Sequence, residues 1–129
     1  MSDVTTRQTN DADIAAVTEV VRTYYDGTMT GDGAKLASAF HPRACIVGTW
    51  EGALDWVTVA EYIDECKEAV AEAGRHDLRI DSVSLAGDTA LVRLDAQHGG
   101  VDYTDHLTLV RSEGAWRIVH KTYYANPSA

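Results

Sequence analysis

The sequence predicts one α+β domain, in which helices pack on a curved, mostly antiparallel sheet. Two observations lead to this class. Apolar residues recur at helical spacing in much of the N-terminal half, whereas residues 78–124 alternate between apolar and polar positions. Short Gly-containing turns separate the alternating segments, so that neighbouring strands run antiparallel. Helices followed by a meander of strands pack on one face of the sheet that the meander forms.

The first two predicted helices follow a loose, polar tail over residues 1–9. Asn10 or Asp11 caps the first helix, which runs to about Thr30. Glycines in the segment 31–33 break the chain, and a short helix over residues 34–40 ends at His41-Pro42. One helical stripe of the first helix consists of Ile14, Val17, Val21, Tyr24 and Thr28, with Tyr25 and Met29 beside it.

The middle of the chain predicts one strand and a third helix. Residues 45–50 are rich in β-branched and aromatic types, as expected of a strand. Thr58 and Glu61 have the spacing of a capping box, which opens a helix that stops near Gly74. The apolar face of this helix consists of Val59, Tyr62, Ile63, Cys66 and Val70.

The last part of the chain predicts four strands, beginning near His76. They cover residues 78–85, 90–98, 101–111 and 116–124, and turns at Gly87-Asp88, Gly99-Gly100 and Glu113-Gly114 join them. His98, beside one of these turns, is expected to be exposed. The whole domain is predicted to cover residues 10–126.

Composition narrows the class of partner and the location. The chain has 129 residues and a formal net charge of −9, which argues against nucleic acid or an anionic membrane as partner. No apolar run approaches the roughly 20 residues of a membrane span, and no signal-peptide stretch is present. The sequence therefore predicts a soluble, cytoplasmic protein. The two cysteines, Cys45 and Cys66, stand among apolar residues and predict neither a disulfide framework nor a zinc motif.

Short motifs in a characteristic order resemble the nuclear-transport-factor-2-like superfamily and, within it, the SnoaL-like and "putative lumazine-binding" proteins. The motifs are Tyr24-Tyr25-Asp26-Gly27, Gly31-Asp32, Phe40-His41-Pro42-Arg43-Ala44, Tyr103-x-Asp105-x-Leu107-x-Leu109 and Gly114-x-Trp116-x-Ile118-x-x-Lys121. The resemblance implies a cone-shaped fold with three N-terminal helices, and a pocket between the concave sheet and the helices. It also implies a homodimer through the convex sheet face. The superfamily includes isomerases, polyketide cyclases, dehydratases and binding or assembly modules, so the fold alone does not select an activity.

Asp105 is the first candidate for chemistry. Strand alternation places Tyr103, Asp105 and Leu107 on one face that is otherwise apolar, so the Asp105 side chain is predicted to point inward. An apolar interior favours the neutral form of a carboxyl group, which suits it to donate or abstract a proton. One structural alternative stays open: Asp105 is tied to Lys121, to a backbone N–H or to a Tyr hydroxyl, and Lys121 would make it a weaker base.

His120 is the second candidate. Strict alternation places it on one face with Trp116, Ile118 and Tyr124, where it would act as an acid, a base or a donor to a ligand. The family motif instead joins Trp116, Ile118 and Lys121, which share a face only if a β-bulge lies between Ile118 and Lys121. A surface or hydrogen-bonded histidine is the alternative.

An aromatic pocket is predicted beside these two residues, although core packing explains the aromatic side chains equally well. Its predicted lining is Tyr24, Phe40, Trp50, Tyr62, Tyr103, Lys121 and Tyr124. No spacing of His, Cys or acidic residues predicts a metal site, a nucleophilic triad or a phosphate loop, so neither a metal nor a cofactor is expected.

Three functions compete at this level. The first is binding of a small apolar or aromatic molecule in the pocket. The second is a cofactor-independent isomerase, polyketide cyclase or dehydratase, in which Asp105 moves a proton and a Tyr hydroxyl or His120 stabilises the oxyanion. The third is a dimeric assembly module, which predicts a filled interior and an apolar patch on the convex face.

Overall fold

Three helices pack on a six-stranded, mostly antiparallel sheet, which confirms the α+β class. The computed structural model describes residues 3–70 and 77–127. The helices are α1 (Asp3–Thr30), α2 (Gly33–Ala39) and α3 (Val59–Glu68). The strands are β1 (Phe40–Trp50), β2 (Ala53–Thr58), β3 (Leu78–Ala86), β4 (Thr89–His98), β5 (Val101–Ser112) and β6 (Ala115–Ala125). They lie in the order β2-β1-β6-β5-β4-β3, and β1 is parallel to β6.

The first two helices begin at different points from those the sequence indicates. α1 starts at Asp3, before the N-cap predicted at Asn10 or Asp11, and ends at Thr30 as expected. α2 begins at Gly33 because the side chain of Asp32 accepts hydrogen bonds from the first backbone N–H groups of the helix. It ends at Ala39, so that His41 and Pro42 belong to β1.

α3 begins at the predicted capping box. The Thr58 hydroxyl accepts a hydrogen bond from the Glu61 N–H, and the Glu61 carboxylate accepts one from the Thr58 N–H. α3 ends at Glu68, whereas the predicted stop at Gly74 and the predicted strand start near His76 lie outside the described residues.

The hairpin of β1 and β2 is the element that the sequence prediction missed. Glu51 and Gly52, with φ of 50° and 81°, form a two-residue turn, and β2 then runs directly into the capping box of α3. The four predicted C-terminal strands are confirmed to within a residue or two at each end. No helix in the described parts of the chain is long and apolar enough to cross a membrane.

The sheet register aligns polar side chains in a row across the face that meets the helices. Asp55 pairs with Gly48, Gly48 with Tyr123, and Tyr123 with Asp105. Lys121 lies in the next row, opposite Leu107. Diagonal neighbours on adjacent strands are about 7–8 Å apart, so Asp105 and Lys121 are placed near each other without being directly paired.

A β-bulge in β6 sets which residues face the helices. Thr108 pairs with His120 and Leu109 pairs with Ile118, so Val119 is an additional residue in β6. Both Ile118 and Lys121 are buried as a result. The structure therefore contains the bulge that the family motif requires if Trp116, Ile118 and Lys121 are to share a face, a point that the sequence left open.

Candidate functional site

A cavity of about 520 Å³ lies between the sheet, α1 and α3. This volume is within the range of about 300–1,000 Å³ that is usual for small-molecule sites. About a third of the lining residues are aromatic, and most of the others are small or apolar. The aromatic lining residues are Tyr24, Tyr25, Trp50, Tyr62, Tyr103 and Tyr123, with His98 at the edge.

Asp105 is buried against this cavity, with 2% of its surface exposed, so its predicted inward direction is confirmed. Tyr24 of α1 donates a hydrogen bond to Oδ2 of Asp105 over 2.8 Å. The other oxygen, Oδ1, is buried and has no hydrogen-bond partner among the described residues. Burial and the charge of Asp105 raise the pKa of Tyr24 well above its usual value, so its hydroxyl remains a proton donor. Asp105 therefore retains one acceptor that the protein does not use.

Lys121 is the buried cation of the cavity. Its Nζ lies 5.0 Å from the ring centroid of Tyr24, 4.4 Å from that of Tyr62 and 5.7 Å from that of Tyr123. Burial alone would lower the pKa of Lys121, but Tyr62 and Asp105 outweigh this and the net shift is upward. Since no salt bridge joins Lys121 to Asp105 among the described residues, the ammonium is held mainly by ring faces and one hydroxyl.

A directed chain of hydrogen bonds fixes the hydroxyl that holds Lys121. Its Nζ donates to the Tyr62 hydroxyl over 3.1 Å, and that hydroxyl is 2.9 Å from the Thr28 hydroxyl. Thr28 donates its proton to the backbone carbonyl of Tyr24, so the Tyr62 hydroxyl must donate to Thr28. An ammonium carries three N–H donors, and the chain uses one, which leaves Lys121 able to donate to a ligand.

A second part of the lining, which we call the mouth, consists of Asp55, Glu65, Trp50, Tyr103 and Tyr123. The Tyr123 hydroxyl donates to Asp55, and the Tyr123 ring reaches it by lying across Gly48 of the intervening strand. Partial burial raises the pKa of Glu65, and the charge of Asp55 raises it further. Two carboxyl groups are therefore close enough to influence each other at the mouth.

The other predicted aromatic residues differ in where they lie. Trp50 and Tyr103 line the cavity with their rings 6.4 Å apart, and Tyr103 meets Tyr123 edge-on at 6.0 Å. Phe40 lies outside the lining: it is fully buried and contacts the rings of Tyr24 and Tyr62 edge-on. Phe40 thus supports the two tyrosines from behind.

His120 and Tyr124 lie outside the cavity lining. The bulge at Val119 shifts the alternation of β6, so that Lys121 and Tyr123 face the helices. Tyr124 is 54% exposed on the outer face, and the nearest polar partner of His120 Nδ1 is the Thr122 hydroxyl at 3.3 Å. Strict alternation placed both residues on the wrong side.

Four functional candidates were not identified from the sequence. Asp55 lies in the unpredicted β2, and Tyr123 depends on the bulge. Glu65 follows Tyr62 by one helical turn, and this spacing is a signal that would have found it. His98, expected to be exposed, is partly buried at the cavity edge and contacts the backbone carbonyl of Ala69 at 3.1 Å.

No group of three or more His, Cys, Asp or Glu side chains in the described residues is arranged to hold a metal ion. Cys45 and Cys66 are both free thiols, and burial raises the pKa of Cys66. The polar groups in the described cavity lining include carboxyl, ammonium and phenol groups, together with the Thr28 hydroxyl, the Cys66 thiol and the His98 imidazole.

The fold and the cavity define an NTF2-like protein with an internal site. A protein of unknown function from Silicibacter pomeroyi DSS-3, described as NTF-2 like, is 34% identical, and its structure matches with a TM-score of 0.88 over 91% of this chain and 98% of that one. An NTF2-like protein of unknown function from Shewanella baltica OS155 is 25% identical, with a TM-score of 0.84 over 91% of this chain and 96% of that one. The family model described as "Putative lumazine-binding" matches residues 12–124, and the chain belongs to that family.

One curated relative carries an enzyme name. It is "Aldolase FrzH" from Cladobotryum sp, which is 25% identical over 114 residues, covering 87% of this chain and 90% of the relative.

Proposed function

We propose that the protein binds a small, largely apolar or aromatic molecule in this cavity, with the polar end of the ligand between Asp105 and Lys121. The observation that carries the proposal is the buried Oδ1 of Asp105, an acceptor without a partner on a residue that lines the same cavity as the protonated Lys121. A buried polar atom without a partner costs free energy, and a ligand donor would remove that cost. The empty volume argues against the assembly module, which requires a filled interior.

The proposal is tested with 4-hydroxy-4-phenylbutan-2-one, which has an aromatic ring, a hydroxyl donor for Asp105 and a carbonyl acceptor for Lys121. Titration followed by backbone amide NMR should shift residues that line the cavity. We expect Asp105→Asn and Lys121→Met each to weaken binding by about tenfold, the loss typical of one buried hydrogen bond to a charged group. Asp64→Asn, on an exposed position of α3, is the matched control and should leave binding unchanged. Shifts confined to the outer surface would refute the proposal.

A second candidate function is a cofactor-independent enzyme of the isomerase, polyketide cyclase or dehydratase type. The free Oδ1 of Asp105 supports it, because a base must present an unoccupied oxygen to the substrate. Asp105 would remove a proton from the carbon beside the carbonyl, and the electron pair would pass to the carbonyl oxygen, where Lys121 stabilises the enolate. Loss of the β-hydroxyl, which takes up that proton, would release water and give the conjugated enone.

The same β-hydroxy ketone distinguishes this chemistry from binding alone. Dehydration forms 4-phenylbut-3-en-2-one, whereas retro-aldol cleavage, in the sense of the relative's name, forms benzaldehyde and acetone. Chromatography separates these three products. We expect Asp105→Asn to lower the rate by about 10²–10⁴-fold, the usual contribution of a general base. Binding without either product would exclude both reactions on this substrate.

We further propose that two copies of the chain pair through the outer face of the sheet. Asp55 and Val57 of β2 line the cavity. Because side chains alternate along a strand, Leu54 and Trp56 point outward. Leu54 is 69% exposed and Trp56 is 63% exposed, and Tyr124 adds to the same face. An apolar surface of this kind is typical of an interface. The cone shape and the cytoplasmic location stay predictions from the sequence.

A further inference from the structure

The ionisable groups that line the cavity are unbalanced in charge. Asp55, Glu65 and Asp105 are acids, whereas Lys121 is the only lysine or arginine in the lining formed by the described residues. Burial lowers the pKa of His98, which leaves its imidazole neutral at pH 7. With the carboxyl groups ionised, the lining is negative, and the formal charge of the whole chain is also negative, at −9. Entry into the cavity is therefore electrostatically favourable for a cation and unfavourable for an anion.

The excess negative charge lies at the mouth. Lys121 adjoins the mouth, since its Nζ lies 5.7 Å from the ring centroid of Tyr123. It donates its hydrogen bond to Tyr62, however, and forms no salt bridge with Asp55 or Glu65 in the described residues. Asp55 accepts a hydrogen bond from the neutral Tyr123 hydroxyl, and no salt bridge to Asp55 or Glu65 exists within residues 3–70 and 77–127. Repulsion by the charge of Asp55 is one reason why the pKa of Glu65 is raised, after its partial burial, whereas the charge of Lys121 lowers that pKa. A cation near both carboxyl groups would relieve this repulsion.

Aromatic faces adjoin these carboxyl groups. Trp50 is 43% exposed, and its ring neighbours Tyr103, which in turn contacts Tyr123. The faces of Trp and Tyr rings attract cations, and rings combined with carboxylates are the usual environment for a substituted ammonium group. In such an environment the carboxylate interacts with the positive charge of the ammonium group, and the rings contact the carbon substituents on its nitrogen.

A second feature shows that the same cavity is built to receive a ligand. Asp105 lines the cavity and is 98% buried, and its Oδ1 lacks a partner in the part of the chain that the structure describes. The mouth is therefore one end of a site that also has an unused polar group inside it, and the acidic residues at the mouth do not stand alone as a surface cluster.

We propose that the mouth binds an organic ammonium group of the ligand, with Asp55 and Glu65 as counter-charges and the rings of Trp50 and Tyr123 against its carbon substituents. This inference rests on the proposed binding function and specifies the ligand class: an amine or quaternary ammonium compound whose neutral, polar portion reaches Asp105 and Lys121.

The experiment compares choline with 3,3-dimethylbutan-1-ol, which has the same shape but a carbon atom in place of the charged nitrogen. Affinities are measured by NMR titration on the full chain at low salt. We expect choline to bind about tenfold more tightly, and the amide shifts to include Tyr123 and Glu65. The preference should diminish as salt is added, because the mouth is partly exposed.

Matched variants separate the mouth from the net charge of the protein. Asp55→Asn combined with Glu65→Gln should bring the two affinities to within about twofold. The control pair Asp64→Asn and Glu68→Gln removes the same charge from exposed positions of α3 outside the lining and should retain the tenfold preference. The single variant Glu65→Gln changes an exposed side chain for which the described structure shows no hydrogen bond, so it should fold even if the double variant does not. We expect it to lose part of the preference for choline.

Equal binding of the two probes to the wild type would overturn the inference, as would an equal loss of preference in the control pair. These outcomes are distinct from failure of the proposed function. If neither mouth probe binds but 4-hydroxy-4-phenylbutan-2-one does, the cavity binds ligands and the ammonium inference is wrong. If no probe shifts any lining residue, both proposals fail together.

Discussion

Replacing Tyr24 with phenylalanine removes one oxygen atom and tests how Asp105 is held in the interior. The Tyr24 hydroxyl donates to Oδ2 of Asp105 over 2.8 Å, and Oδ1 has no partner among the described residues. The change therefore leaves the carboxyl group of Asp105 without its one protein hydrogen bond in the described structure. The phenylalanine ring keeps the edge contact with Phe40, so that packing is almost unchanged.

The expected cost follows from the type of bond. A buried hydrogen bond to a charged group contributes about 1.5–3 kcal/mol, and we expect Tyr24→Phe to destabilise the protein by about 2 kcal/mol. With a urea m-value of about 2 kcal/mol/M for a domain of this size, the unfolding midpoint falls by about 1 M. Tryptophan fluorescence during urea unfolding at pH 7 measures this shift.

A double-mutant cycle with Asp105→Asn isolates the pair. In the background of the Asp105→Asn variant the hydroxyl contacts a neutral amide, so Tyr24→Phe should cost about 1 kcal/mol less than in the wild type. A cost of Tyr24→Phe below about 0.5 kcal/mol would refute the account of Asp105 as a carboxyl group held by this tyrosine, since changes that small are typical of surface positions. A cost that is equal in both backgrounds would show that the tyrosine acts by packing rather than through Asp105.

Three further predictions concern other features. Gly48→Ala would place a Cβ 2.6 Å from both the ring and the backbone oxygen of Tyr123, so the ring must leave Asp55 and the backbone of β1 or β6 must shift as well. We expect a loss of about 1–3 kcal/mol in urea unfolding, and an unchanged midpoint would contradict it. The pKa values of Tyr24 and Lys121 are raised above 10.0 and 10.5 in the folded state, so the stability they contribute is complete below about pH 10 and is lost at higher pH, as the unfolded chain releases protons that the folded chain retains. The urea midpoint of unfolding, measured between pH 8 and 11, should fall above pH 10, and Tyr24→Phe should make this fall less steep. A midpoint that increases with pH over this range would exclude the prediction. Trp56→Glu should convert a dimer to a monomer in sedimentation analysis, whereas a wild type that is already monomeric would exclude the outer-face interface.

Local signals predicted much of the fold because each acts within a few residues. The capping box of Thr58 and Glu61, the turns of the C-terminal meander and the alternation around Asp105 are all confirmed. β2 was missed even though Glu51-Gly52 repeats the residue types of the predicted turn at Glu113-Gly114. The reason is that β2 continues without a break into the cap of α3, so no turn residues separate the strand from the helix.

The cavity could be predicted only in part, because it depends on which strands become neighbours. Asp55 and Asp105 are distant in sequence and reach the same row through the β1–β6 pairing. Lys121 was predicted from a family motif, whereas the aromatic rings that hold it come from α1, α3 and β6 and meet only in three dimensions. Whether Lys121 pairs with Asp105 or with Tyr62 depends on distances of a few ångströms, which periodicity does not specify.

Val119, the additional residue of β6, has a consequence for how members of one fold diverge. With regular alternation after Ile118, the interior would receive an imidazole, a hydroxyl and a phenol from His120, Thr122 and Tyr124, and it would contain no ammonium from this strand. A single insertion or deletion therefore exchanges the whole set of groups offered by a strand, although every residue on either side stays the same. Proteins with this sheet can thus acquire a different interior chemistry through strand length alone, and pocket residues should be matched between relatives only after their bulges have been aligned.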